Sequence, residues 1–106
     1  MLFRFHSKHA ADVFMLPDLT QKLFDIMGRT LDARGIFLVE QLPDAIARLE
    51  KAIATDQDLR IKAPNLLTDT QREYLKTEDR LGQRAHPLLE LLKRAQADRE
   101  YVTWET

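Results

Sequence analysis

The sequence predicts an α+β domain: a small antiparallel sheet, built from an N-terminal hairpin and a C-terminal strand, with about three helices covering one face. Three observations predict it. Both ends of the 106-residue chain alternate apolar and polar side chains. The stretches between them carry apolar residues at helical spacing. No apolar run approaches the roughly 18 residues of a membrane span.

The N-terminal signal is Leu2 to His6, in which Phe3 and Phe5 point one way and Leu2, Arg4 and His6 the other. Asp12 to Leu16, rich in Val, Phe and Met, is the return strand. Ser7 to Ala11 has the length of a longer hairpin loop. Pro17 and Asp18 then open a helix, since proline suits a first turn and an acid there suits the dipole. Leu19, Leu23, Ile26 and Met27 form its apolar stripe with Phe24 beside it, and Gly28 stands at the C-cap position.

Arg29 to Gly35 reads as a polar connection. Ile36 to Val39 is a short apolar run that periodicity assigns neither to a strand nor to a packed loop. The next helix is the clearest element. Pro43 and Asp44 lie in its first turn, Leu42, Ile46, Leu49 and Ile53 recur along one face, and Arg48, Glu50 and Lys51 lie outside. At Thr55 the composition turns polar. Residues 55–83 read as an excursion, mobile or carrying a loosely attached helix from about Thr68 to Arg80. His86-Pro87 reads as the next helix start, with Leu88, Leu91, Leu92 and Ala95 as its stripe. Tyr101 to Glu105 alternates as the closing strand.

One domain spanning residues 1–106 follows from this length. Hydrophobic residues at 44% and charged residues at 31% place it in the ordinary globular class. There is no cysteine, which removes disulfides, thiolate metal sites and thiol nucleophiles. With Lys+Arg at 16 and Asp+Glu at 17, no basic excess advertises nucleic acid. MLFRFH lacks the apolar core of a signal peptide, so the expected location is cytoplasmic, with no membrane partner.

Three stretches taken together, LFRFHSKHAADVFML, GIFLVEQLPDAIARLEKAIA and RAHPLLELLKRAQADREYVTWE, resemble a family of short, mostly proteobacterial proteins known as a domain of unknown function. The resemblance covers both ends and the second helix. It implies a small cytoplasmic bacterial protein and carries over no activity and no catalytic residue.

The candidate sites come from the residues themselves. His6, His9 and Asp12 fall three apart. Imidazole and carboxylate suit zinc or another borderline cation, and the competing reading is a set of solvated loop residues. Ser7 with His9 and Asp12 has the residue types of a triad, which only geometry can make one. His86, before Pro87, reads as a structural residue at a helix start. No Gly-rich phosphate loop, G-x-S-x-G or H-E-x-x-H occurs, so no catalytic residue is assigned and no cofactor is required.

The sheet is the more informative feature. Phe3, Phe5, Val13, Met15, Val102 and Trp104 face the helices. Arg4, His6, Phe14, Tyr101 and Thr103 face away from them. An open face with arginine and aromatic side chains suits self-association or a protein partner, and Arg4, Phe14 and Tyr101 are its expected anchors. The reading is therefore a non-enzymatic interaction or accessory module. The alternatives are metal binding or sensing through His6, His9 and Asp12, and single-strand nucleic-acid binding on the same face.

Overall fold

The computed structural model describes residues 2–61 and 81–106. The two ends of the chain meet in the middle of one sheet. Strand β1 (Phe3–His6) pairs antiparallel with β2 (Val13–Met15) on one side and with β4 (Val102–Glu105) on the other. Strand β3 (Arg34–Phe37) pairs antiparallel with the far side of β4, so the order is β2-β1-β4-β3. The helices are α1 (Pro17–Met27), α2 (Leu42–Ile61) and α3 (Leu81–Asp98). α2 packs against both α1 and α3. The expected α+β architecture is present, with helices on one side of an antiparallel sheet.

Alternation decides which side is covered. Phe3, Phe5, Met15, Phe37, Val102 and Trp104 are buried, and Val13 is partly so. Against them lie Leu23, Phe24 and Met27 of α1, Leu42, Ala45, Ile46 and Leu49 of α2, and Leu88, Leu91, Leu92 and Ala95 of α3. Trp104 is the centre of an aromatic cluster. Its ring centroid lies 4.8 Å from Phe24 and 5.1 Å from Phe37, and its Nε1–H donates to the Asp32 carbonyl at 2.9 Å.

Local chemistry sets the helix ends. Pro17 opens α1, and Gly28 closes it with φ 70°. The N–H of Gly28 bonds to the Asp25 carbonyl and that of Arg29 to Phe24, the paired bonds of a Schellman motif. α3 ends the same way on Arg99, whose φ is 56°, with Arg99 N–H to Gln96 and Glu100 N–H to Ala95.

Two boundaries differ from the sequence reading. Residues 36–39, which periodicity leaves open, divide: Ile36 and Phe37 belong to β3, while Val39–Gln41 is a 3-10 turn leading into α2. The free side of β4 offers β3 its ladder, and the Thr106 N–H extends the pairing to the Ala33 carbonyl at 2.9 Å. Second, His86-Pro87 is not the start of a helix. α3 begins at Leu81 with Pro87 inside it. Leu81 and Ala85 continue the buried stripe of Leu88 and Leu92 back by helical spacing. Pro87 and Gln83 are exposed, so the Gln83 carbonyl that loses its bond to the proline ring nitrogen meets water instead.

The expected excursion at 55–83 thus begins inside α2 and ends inside α3. The helix expected at about Thr68 to Arg80 lies outside the described residues. Asp56 joins the two helices. It is only 2% exposed, and its Oδ2 accepts the Leu81 N–H at 3.2 Å. A carboxylate of α2 thereby serves one of the unbonded amides at the N-terminus of α3. Asp56→Ala is expected to cost about 1–2 kcal/mol, read as a lower urea midpoint. An unchanged midpoint would mean that α3 starts without this cap.

Candidate interaction surface

The face of the sheet that no described helix covers is built by the outward residues of four strands. β1 contributes Arg4 and His6, β2 Phe14, β3 Arg34 and Ile36, and β4 Thr103 and Glu105. The register places them in rows. Phe14 pairs with Arg4, Arg4 with Glu105, and Glu105 with Arg34. In the next outward row His6 pairs with Thr103 and Thr103 with Ile36.

Charges run along the first row. The Arg4 guanidinium forms an ion pair with Glu105 Oε1, and its Nη1 lies 3.8 Å from Asp12 Oδ2. Arg34 Nη2 is 3.8 Å from Glu105 Oε2. His6 Nδ1 donates to Asp12 Oδ1 at 2.6 Å. These groups are solvent-exposed, so each pair contributes at most about 1 kcal/mol. The network orients side chains more than it stabilises the fold, and it leaves the centre of the face compensated in charge.

The large exposed hydrophobics among the described residues are Leu2, Phe14, Leu16, Ile36, Leu38 and Tyr101. Phe14 and Ile36 stand on this face. The other four lie within one residue of a strand end, at positions that continue the outward alternation. Of the expected anchors, Arg4 and Phe14 are thus direct cross-strand neighbours. Tyr101 lies beyond the start of β4, where its carbonyl accepts the Ser7 hydroxyl at 3.0 Å. Sequence reasoning missed Arg34, Ile36 and Glu105. The Arg-Gly-Ile-Phe alternation was the available signal, but a glycine and a preceding polar stretch mask it.

The edge beside β3 is partly capped. Arg29 Nη2 donates to the outward carbonyl of Ile36 at 2.9 Å, and its guanidinium lies 4.5 Å from the Phe37 ring centroid. A bonded edge carbonyl is a poor template for another strand. The remaining edge strand, β2, is three residues long. Association through the face is therefore better supported than association through an edge.

His6 and Asp12 meet, but His9 does not join them. No group of three or more His, Cys, Asp or Glu able to hold a metal occurs among the described residues. His9 sits in the exposed hairpin loop, beside a groove shared with Pro87, Glu90, Lys93 and Arg94 of α3. Asp12 also has Arg4 near it, and a guanidinium opposes a second cation there. Ser7 is buried and already donates to Tyr101, while Asp12 engages His6, so the three types of a triad are not assembled as one. His86 Nδ1 lies 3.9 Å from Glu90 on the exposed side of α3. On the same helix Lys93 Nζ bonds to Glu50 Oε2 at 3.0 Å, which raises the lysine's pKa above its ordinary value.

Fold and surface together define a class: a small α+β domain with one sheet face sealed by helices and the other open, apolar at its margins and charge-paired at its centre. The chain belongs to the family described as domain of unknown function DUF1840, whose match covers residues 1–104. No curated protein and no solved structure matches it. No helix among the described residues is long and apolar enough to cross a membrane.

Proposed function

We propose that this protein is a non-enzymatic interaction module that presents the open sheet face to a protein partner. One observation carries the reading: the large hydrophobics left exposed among the described residues gather on that face and its margins. Scattered exposed hydrophobics need no explanation, whereas grouped ones mark contact surfaces. Phe14, 60% exposed beside Arg4, is the kind of aromatic–arginine neighbourhood that anchors interfaces. A protein surface suits this face better than a nucleic-acid strand. Both arginines already sit beside Glu105, and a polyanion would have to displace that carboxylate.

A photo-crosslinking phenylalanine analogue placed at Phe14 in the living host tests this reading, with the exposed Gln96 of α3 as the control position. The expected result is a discrete protein adduct at Phe14 and none at Gln96, with mass spectrometry identifying the adduct. Equal labelling at the two positions, or none at either, removes the reading.

A further inference from the structure

We infer that the partner for this face is a second copy of the chain, stacked face to face about a two-fold axis that runs along the strands. The inference rests on the interaction reading above and goes beyond it by naming the occupant and the geometry.

The row order carries it. From β2 to β3 the first row reads Phe14, Arg4, Glu105, Arg34: ring, cation, anion, cation. A half-turn about an axis parallel to the strands reverses that order and keeps each row at its own height. Arg4 of one copy then lies over Glu105 of the other, and Glu105 over Arg4. Arg34 of each copy lies over the Phe14 ring of the other. A two-fold axis laid across the strands along this row does the opposite, setting Arg4 over Arg4 and Glu105 over Glu105, which repel. This row is thus complementary to its own reverse, as an isologous dimer requires of the residues at its centre.

The state of each side chain fits. The Arg34 side chain is 83% exposed, and Glu105, 3.8 Å away, is its one carboxylate neighbour among the described residues. Phe14 is also largely exposed, so the two ends of the row have surface to offer each other as a cation–π pair. Packed sheets lie about 10 Å apart at small angles, a gap that arginine and glutamate reaching from both sides can fill. Asp12 keeps His6 and Arg4 as neighbours throughout. A net charge of −1 sets up little long-range repulsion between copies. Four strands about 4.8 Å apart, and about 20 Å long with their flanking residues, give a footprint of roughly 400 Å². That is small for a stable interface, so micromolar self-association is expected.

Sedimentation equilibrium of the full chain up to about 500 µM, well above a micromolar Kd, is the first test. The wild type is expected to dimerise. Arg4→Glu and Glu105→Arg, each placing like charges opposite across the axis, are each expected to weaken association by about tenfold or more. An equimolar mixture of the two variants is expected to restore it, because in the mixed pair every substituted side chain again meets the opposite charge. Near-ultraviolet circular dichroism and Trp104 emission confirm that each variant is folded.

The absence of native cysteine permits a second, geometric test. A short bismaleimide is expected to join Phe14→Cys to Arg34→Cys in a mixture and not to join Phe14→Cys to itself. Self-linking of Phe14→Cys at equal yield overturns the axis. A monomer at every concentration, together with a Phe14 adduct to a different protein in the host, overturns this inference and leaves the interaction reading standing. A monomer with no adduct removes both.

Discussion

A chain ending at Tyr101 is expected to remain unfolded in buffer. The loss removes β4, which lies between β1 and β3, so β3 has no neighbouring strand and β1 keeps only the short β2. It also removes Val102 and Trp104 from the core, at 0% and 3% exposed. Loss of the tryptophan side chain alone costs about 3–5 kcal/mol, and burial of the valine accounts for about 1.5–3 kcal/mol more. Domains of this size have roughly 5–15 kcal/mol in total, and the two broken ladders add to the deficit. Far-ultraviolet circular dichroism and amide shift dispersion check the result. A dispersed, cooperative truncated chain would show that the hairpin and helices hold without the closing strand. Trp104→Phe keeps a ring in the cluster but loses the hydrogen bond to Asp32 and the part of the indole packed over Gly35, so its cost should be about 2–3 kcal/mol.

The second large effect is expected at Gly35, where alanine should cost about 3 kcal/mol. Gly35 faces Trp104 across the β3–β4 ladder. A Cβ at Gly35 would lie 2.2 Å from Trp104 Cζ2 and 2.6 Å from Cη2. The indole has little room to yield, being bonded to Asp32 and bounded by Phe24 and Phe37. The backbone of Gly35 is not left-handed, so the requirement is for space rather than torsion. An aromatic ring covering a cross-strand glycine is a known way of packing a sheet. Gly82→Ala is the control. Among the described residues its added Cβ would meet Ile53 Cγ2, at 3.2 Å, and alanine gains up to about 1 kcal/mol of helix propensity there. Urea unfolding is expected to show a lower midpoint at constant slope for Gly35→Ala and little change for Gly82→Ala. The emission of Trp104, the sole tryptophan, should shift to the red in the first. A wild-type midpoint for Gly35→Ala would mean that the indole has another place to sit.

The proposed interface is testable by the same economy of labels. Charge reversal at Arg4 and Glu105 alters groups whose pairs contribute little to folding, so a change in self-association is not a change in stability under another name. The His6–Asp12 contact belongs to the same face. A carboxylate flanked by His6 and Arg4 holds the hairpin loop against β1, and it explains why a histidine spacing that reads as metal-like is satisfied locally.

Several elements were legible because their signal is local. Alternation in Phe3-Arg4-Phe5-His6 and in Val102-Thr103-Trp104-Glu105 marks two strands and says which residues point inward. Pro17 and Gly28 bracket α1, and the stripe from Leu42 to Ile53 marks α2. Arg4 and Phe14 as outward residues followed from the same period of two.

What stayed hidden depends on partners distant in sequence. Arg34-Gly35-Ile36-Phe37 becomes a strand because β4, far away in sequence, offers a free edge and an indole that needs a glycine beneath it. The start of α3 lies before its proline because Asp56 of another helix caps it. His9 parts from His6 and Asp12, lying in the hairpin loop beside a groove it shares with α3. By itself, then, the sequence determined the class of fold, the inward and outward residues of the terminal strands, and the presence of an open face. Tertiary structure alone decided the strand order, and with it the row of Phe14, Arg4, Glu105 and Arg34. Periodicity is a property of neighbours along the chain, whereas register is set by which strands find each other across it.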